Sequence, residues 1–184
     1  TQRIQDHVDR NPSVCMEMPQ VSITTYPEKG KDRVLEMTFT YQTSRETLRQ
    51  MQEAVDPVFM SARLYVSASA NDVEKLIQLY GFLMERYEYT VETSITPTYS
   101  LLCHGVGDSK AFAAVYRAMC QQVGIECHMV SGTKNAQPWF WNVVVVDGVY
   151  CHLDLLQCSH ENGFYLRSDG EMYGYVWDYS AYSG

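Results

Sequence analysis

The 184-residue chain has no run of about 18 consecutive apolar residues, which excludes a membrane-spanning helix. It has no lysine and arginine cluster. Its 14 basic residues are scattered among 22 acidic ones for a formal net charge of −8, a surface that repels nucleic-acid backbones and anionic lipid. It has no CxxC pair and no glycine-rich phosphate loop. The segment Gly105–Lys110, GVGDSK, lacks the spacing of a P-loop. No metal, nucleotide or haem motif is present, so no cofactor is expected. There is no internal repeat and no low-complexity tract. The first twelve residues, TQRIQDHVDRNP, are too polar for a signal peptide and lack an initiator Met, from which a trimmed or processed chain is expected.

What is there reads as one soluble globular domain, with 46% hydrophobic and 20% charged residues. The cysteines at 15, 103, 120, 127, 151 and 158 are not spaced like a dense disulfide scaffold, and most read as small buried hydrophobes. His104 follows Cys103 and His152 follows Cys151. Adjacent residues on a strand face opposite ways, so neither pair is expected to share a metal.

Hydrophobic periodicity orders the elements. Val21–Tyr26 and Val34–Tyr41 read as strands joined by a PEKGKD turn, and Leu35, Met37, Phe39 and Tyr41 alternate with polar residues in the second. Thr43 with Glu46 has capping-box spacing for a helix that runs toward a break or kink at Pro57. Asn71 with Glu74 repeats the signal before a stripe of Val73, Leu76, Ile77, Tyr80, Leu83, Met84 and Tyr87. Another helix should begin at Asp108 or Ser109, bury Phe112, Val115, Tyr116, Met119 and Val123, and close at Gly124. Short β-rich runs follow at Ile125–Ser131, Pro138–Val146 and Val149–Leu155, the last two joined by the hairpin dipeptide Asp147–Gly148. The order predicts an α+β domain spanning 1–184, with N-terminal strands and a helix over 1–70 and a core over 71–184 in which a central helix packs on an antiparallel sheet.

From Leu101 to Leu156 the chain resembles the transglutaminase-like superfamily, which has a papain-like cysteine-hydrolase fold. That family sets a nucleophilic Cys at a helix N-terminus in a pattern like L-L-x-x-G-V-C-x-x-Y-A, then H-A-W-N on a strand, then an Asp on the next strand. Here Leu101, Leu102, Gly105, Val106 and Ala111 match, with Gly107 where the Cys should stand. Trp139, Phe140, Trp141 and Asn142 occupy the H-A-W-N run, with Trp139 in the His position, and Asp154 matches the Asp. The helix from Asn71 to Tyr89 and the closing segment Ser168–Tyr182 extend the similarity over nearly the whole chain.

The resemblance implies a domain of bacterial type without the usual catalytic pair. Gly107 offers no nucleophile, and the Trp139 indole donates a hydrogen bond but is no base near neutral pH. The cleft candidates are Asp108, Ser109, Trp139, Trp141, Tyr150 and Asp154. Asp154 is expected to accept hydrogen bonds from Trp139 or from backbone. His152 reads as a satisfied structural histidine, Asp108–Ser109 as a helix cap, and Lys110 as solvated. The leading function is an inactive binding or scaffolding domain for a peptide, a protein or a cell-wall fragment. A surface or extracellular setting is implied by the resemblance alone. The alternatives are a hydrolase or transamidase with Cys103 as a displaced nucleophile, and a purely structural module of a larger surface protein.

Overall fold

The computed structural model describes residues 2–27 and 33–179. Helix α1 spans Gln2–Arg10, strands β1 and β2 span Gln20–Pro27 and Arg33–Thr40, and helices α2 and α3 span Arg45–Tyr65 and Asp72–Met84. A two-residue strand β3, Glu88–Tyr89, precedes α4, Pro97–His104. Strand β4, Val106–Gly107, leads into α5, Ser109–Gln122. The sheet strands β5, β6 and β7 follow at Cys127–Lys134, Gln137–Val146 and Val149–Leu153, then α6 at Leu155–His160 and β8 at Tyr175–Trp177. Helix packed on antiparallel sheet is the α+β arrangement expected.

The central helix α5 is the hub. Its Phe112, Val115, Tyr116 and Met119 are buried, as the stripe required, and they share one core with Leu76, Leu79 and Leu83 of α3 and Val55 and Phe59 of α2. Each such side chain withdrawn from water contributes about 1.5–3 kcal/mol. The Tyr116 hydroxyl donates to the Leu76 carbonyl at 2.8 Å and ties α5 to α3. Because α2 is part of this core, the boundary at residue 70 is a turn between helices and not a break in packing.

The main sheet has strand order β7-β6-β5-β8, all antiparallel. Asp147 and Gly148 both take positive φ, as a tight two-residue hairpin demands. Gly132 lies where a Cβ would meet the Val176 carbonyl at 2.2 Å and the Trp141 ring at 2.8 Å, so its bareness lets β8 close over Trp141.

Some local expectations give way. Ser44, not Thr43, caps α2 and accepts from the Thr47 N–H, because the Thr43 N–H is taken by the Glu17 carboxylate. The helix passes through Pro57 to Tyr65. Pro57 lies on its exposed side with Glu53 and Ser61, where a carbonyl without a donor can be solvated. Cys103 and His104 belong to helix α4, not to a strand, and β7 stops at Leu153 because Asp154 caps α6. The polar N-terminus forms α1. Most of the expected PEKGKD turn lies outside the described residues, as does the end of the closing segment beyond Tyr179. The β1–β2 pair is a sheet of its own, separate from the main one.

Candidate active site

Asp154 sits where β7 ends and α6 begins. As the α6 cap it turns Oδ1 to the Leu156 and Gln157 N–H groups, each at 3.1 Å. Its other oxygen, Oδ2, faces the sheet and accepts three donors: Trp139 Nε1 at 2.8 Å, the Tyr175 hydroxyl at 2.8 Å and Lys134 Nζ at 3.2 Å. Register brings these donors together. Lys134 pairs with Tyr175 across β5 and β8, and Gly132, two residues earlier, pairs with Trp139 across β5 and β6. The Lys134 ammonium lies 4.7 Å from the Trp139 ring centre and 5.4 Å from that of Tyr175. Burial, and then the Asp154 charge, push the Tyr175 hydroxyl far above its ordinary value, so it stays protonated and donates. Tyr89 closes the other side, its ring 5.5 Å from that of Trp139.

The head of α5 corrects the expectation for Gly107. That residue is buried in β4, paired with Tyr89, and a Cβ built on it would meet Ala111 Cβ and Leu101 Cδ1, both at 3.1 Å. A side chain there would point into the core. Asp108 is the cap, accepting from the Ala111 N–H at 2.9 Å, so the first helical residue is Ser109. Ser109 is buried, and its Oγ accepts from the Phe140 N–H at 3.4 Å, next to Trp139. Ser109 and Asp154 line the same cavity, of about 10 Å³, barely the space of one water. The positive end of α5 is therefore occupied by the chain's own Asp108 carboxylate. Lys110 is not simply solvated: it is ion-paired with Asp9 of α1 at 2.9 Å.

The remaining candidates separate. Trp141 is fully buried in a small cluster with Val130, Val143, Met172 and Trp177, and it also lines the cavity. Its Nε1–H donates to His152 Nδ1 at 2.9 Å, while His152 Nε2 lies 2.9 Å from Asp169 Oδ1. Accepting at Nδ1 and donating at Nε2 defines a neutral imidazole, and burial holds its pKa below the ordinary value although Asp169 pulls the other way. Asn142 donates to the Ala113 carbonyl at 2.9 Å and pins β6 to α5. Tyr150 does not belong to the site. It is exposed near the β6–β7 turn, paired with Val145, its ring beside that of His128. Cys103 is on the exposed side of α4, and burial of its thiol raises rather than lowers its pKa.

A helix head, a strand aromatic and the carboxylate at the end of the next strand thus meet at one small cavity. The family model described as the transglutaminase-like superfamily matches residues 60–155, more than half of the chain and all three of these elements. The chain belongs to the transglutaminase-like superfamily.

No curated protein matches this superfamily member. Among solved structures, one described as a TGase shares 9% identity over 74% of this chain and 43% of its own, with a TM-score of 0.47. A proposed protease from Parabacteroides distasonis shares 13% over 72% of this chain and 35% of its own, with a TM-score of 0.45. A proposed cysteine protease from Cytophaga hutchinsonii shares 14% over 85% of this chain and 70% of its own, with a TM-score of 0.48. The transglutaminase-like chain spans less than half the length of the first two.

Within this superfamily frame, sequence reasoning missed two groups and misplaced a third, since it named Ser109 in the cleft but set the nucleophile position at Gly107. Lys134 and Tyr175 lie 20 and 21 residues from Asp154, with no local pattern to announce them. Ser109 was detectable, because a cap at Asp108 makes the next residue the first of the helix.

Proposed function

We propose that this transglutaminase-like domain is catalytically inactive and serves as a binding or scaffolding module for a peptide, a protein or a cell-wall fragment. One observation carries the reading: the Asp154 oxygen that would orient an imidazole is filled by Trp139, Tyr175 and Lys134. The Trp139 indole donates but cannot take up a proton near neutral pH. Ser109, at the helix head, is a hydroxyl with no base beside it, and unactivated hydroxyls are weak nucleophiles. Lys134 is committed to Asp154 as an ion pair. A site without nucleophile and base retains at best about a thousandfold over water.

The small size of the cavity also supports a narrower version, in which the former cleft is purely structural and partners bind elsewhere. The raised Cys103 thiol gives no support to a displaced nucleophile.

The test compares the unmodified protein with Ser109→Cys/Trp139→His on chromogenic amide substrates and on amine incorporation into casein. The unmodified protein should stay at background, and the double variant should gain an iodoacetamide-reactive thiol. Gly107→Cys should instead destabilise the fold without restoring activity, since its thiol would press on Leu101 and Ala111. Turnover by the unmodified protein at the rate of a cysteine protease, abolished by Ser109→Ala or Cys103→Ala, sinks the proposal.

A further inference from the structure

The β1–β2 hairpin is amphipathic, and its apolar side is bare. Cross-strand register pairs Val21 with Phe39 and Ile23 with Met37, and sets Leu35 on the same face. Period-two alternation sends the polar residues Ser22, Thr24, Glu36 and Thr38 to the other face, where Tyr26 and Val34 pair at the end near the turn. Ile23 is 58%, Leu35 64%, Met37 49% and Phe39 47% exposed. A lone two-stranded sheet is marginally stable in water and ordinarily needs a further strand or a helix over its apolar face. Both outer edges of this one lack a neighbouring strand among the described residues.

The face continues into a groove of about 930 Å³ at the base of the hairpin. Phe39 and Tyr41 form its near end, Ile4 and Val8 of α1 one wall, and Leu48 of α2 the other. The groove is mostly apolar, and its rim is cationic. Arg3 of α1 and Arg45 of α2 both line it, and neither has an ion-pair partner among the described residues, whereas Arg49 beside them is held by Glu46 and Glu53. The one carboxylate in the groove, Glu17, is buried and satisfied by the Gln42 and Thr43 N–H groups. Two open guanidinium groups over an apolar floor are unusual on a chain of net charge −8.

We propose that the hairpin face and this groove are the docking surface for an apolar polypeptide segment of a partner protein that carries carboxylates. The apolar side of the segment covers Ile23, Leu35, Met37 and Phe39 and enters the groove between α1 and α2. Its carboxylates meet Arg3 and Arg45, whose planar forks suit bidentate pairing. The open strand edges add backbone hydrogen bonds if the segment is extended. Charge selects the partner, because a chain of net charge −8 disfavours acidic segments on average, whereas the groove offers them two guanidinium groups. The inference rests on the binding-module reading but uses a surface distinct from the Asp154 cavity, so either can fail alone.

The test is selection of a phage-displayed library of twelve-residue peptides against the full chain, followed by titration of the enriched peptides in synthetic form. Enriched peptides should combine apolar residues with aspartate or glutamate. Their affinity should fall about tenfold or more in Arg3→Glu/Arg45→Glu, two exposed changes that spare the core, and likewise in Leu35→Ser/Phe39→Ser. The proposal is overturned if nothing enriches, if basic peptides enrich, or if Arg3→Glu/Arg45→Glu leaves binding unchanged. It is also overturned if the free protein sediments as a dimer that Leu35→Ser/Phe39→Ser dissociates, since a second copy would then be the cover.

Discussion

Asp154 accepts five hydrogen bonds with two oxygens, and its replacement shows how much of the molecule depends on them. In Asp154→Ala the α6 cap is lost, and a largely buried ammonium and two side-chain donors lose their partner. Urea unfolding should register a loss of about 3–5 kcal/mol. Trp139→Phe removes one donor and keeps the ring against Tyr89, so it should cost only about 1 kcal/mol. His152 gives a pH dependence of known sign. Its folded-state pKa is below the ordinary 6.5, so the stability it contributes is present above about pH 6.5 and is lost as pH falls through the lowered value. The cause is burial, which disfavours the charged ring although Asp169 pulls the other way, and a proton on Nδ1 would also break the bond from Trp141. Thermal melting from pH 7.5 to 5 should show this decline, and His152→Gln should flatten it; an unchanged slope in the variant would place the titration elsewhere.

At the scale of the element, ends decide more than middles. The capping box of α3 is complete, with the Asn71 side chain accepting from the Glu74 N–H at 2.9 Å and the Glu74 carboxylate from the Asn71 N–H at 2.8 Å. Asn71→Ala should lower stability by about 1 kcal/mol in the same unfolding assay, with no change in slope. This box was legible because both partners lie within four residues. The start of α2 was not, because Glu17, some 25 residues earlier, takes the N–H groups of Gln42 and Thr43 and leaves Ser44 to cap. The same difference explains β1 and β2. Alternation gave their faces, but the pattern holds no information on whether a buried or an open side awaits the apolar one.

In the whole molecule, burial sorts the thiols. Cys120, Cys127 and Cys158 are buried in the core around α5, Cys15 and Cys151 are half-buried, and Cys103 is exposed. Under native conditions an aromatic disulfide reagent should modify Cys103 first and reach Cys120, Cys127 and Cys158 only on unfolding. A Cys103 labelled at the rate of an activated thiolate would instead revive the displaced-nucleophile reading. The fold as a whole was readable in outline, since the α5 stripe, the Asp147–Gly148 hairpin and the order of strands after Gly124 are patterns of neighbouring residues, and local sterics and burial act on neighbours. By itself the sequence therefore determined the α+β class and the superfamily frame, with a tryptophan at position 139 where the resemblance leads one to expect a histidine. Only the tertiary structure decided that Ser109 rather than Gly107 shares a cavity with Asp154 beside the strand that carries Trp139, that Lys134 and Tyr175 fill the remaining oxygen, and that the hairpin face stands uncovered. Each of these depends on where one element's end meets another across the sheet, and a shift of two residues at the head of α5 moves a side chain from cavity to core.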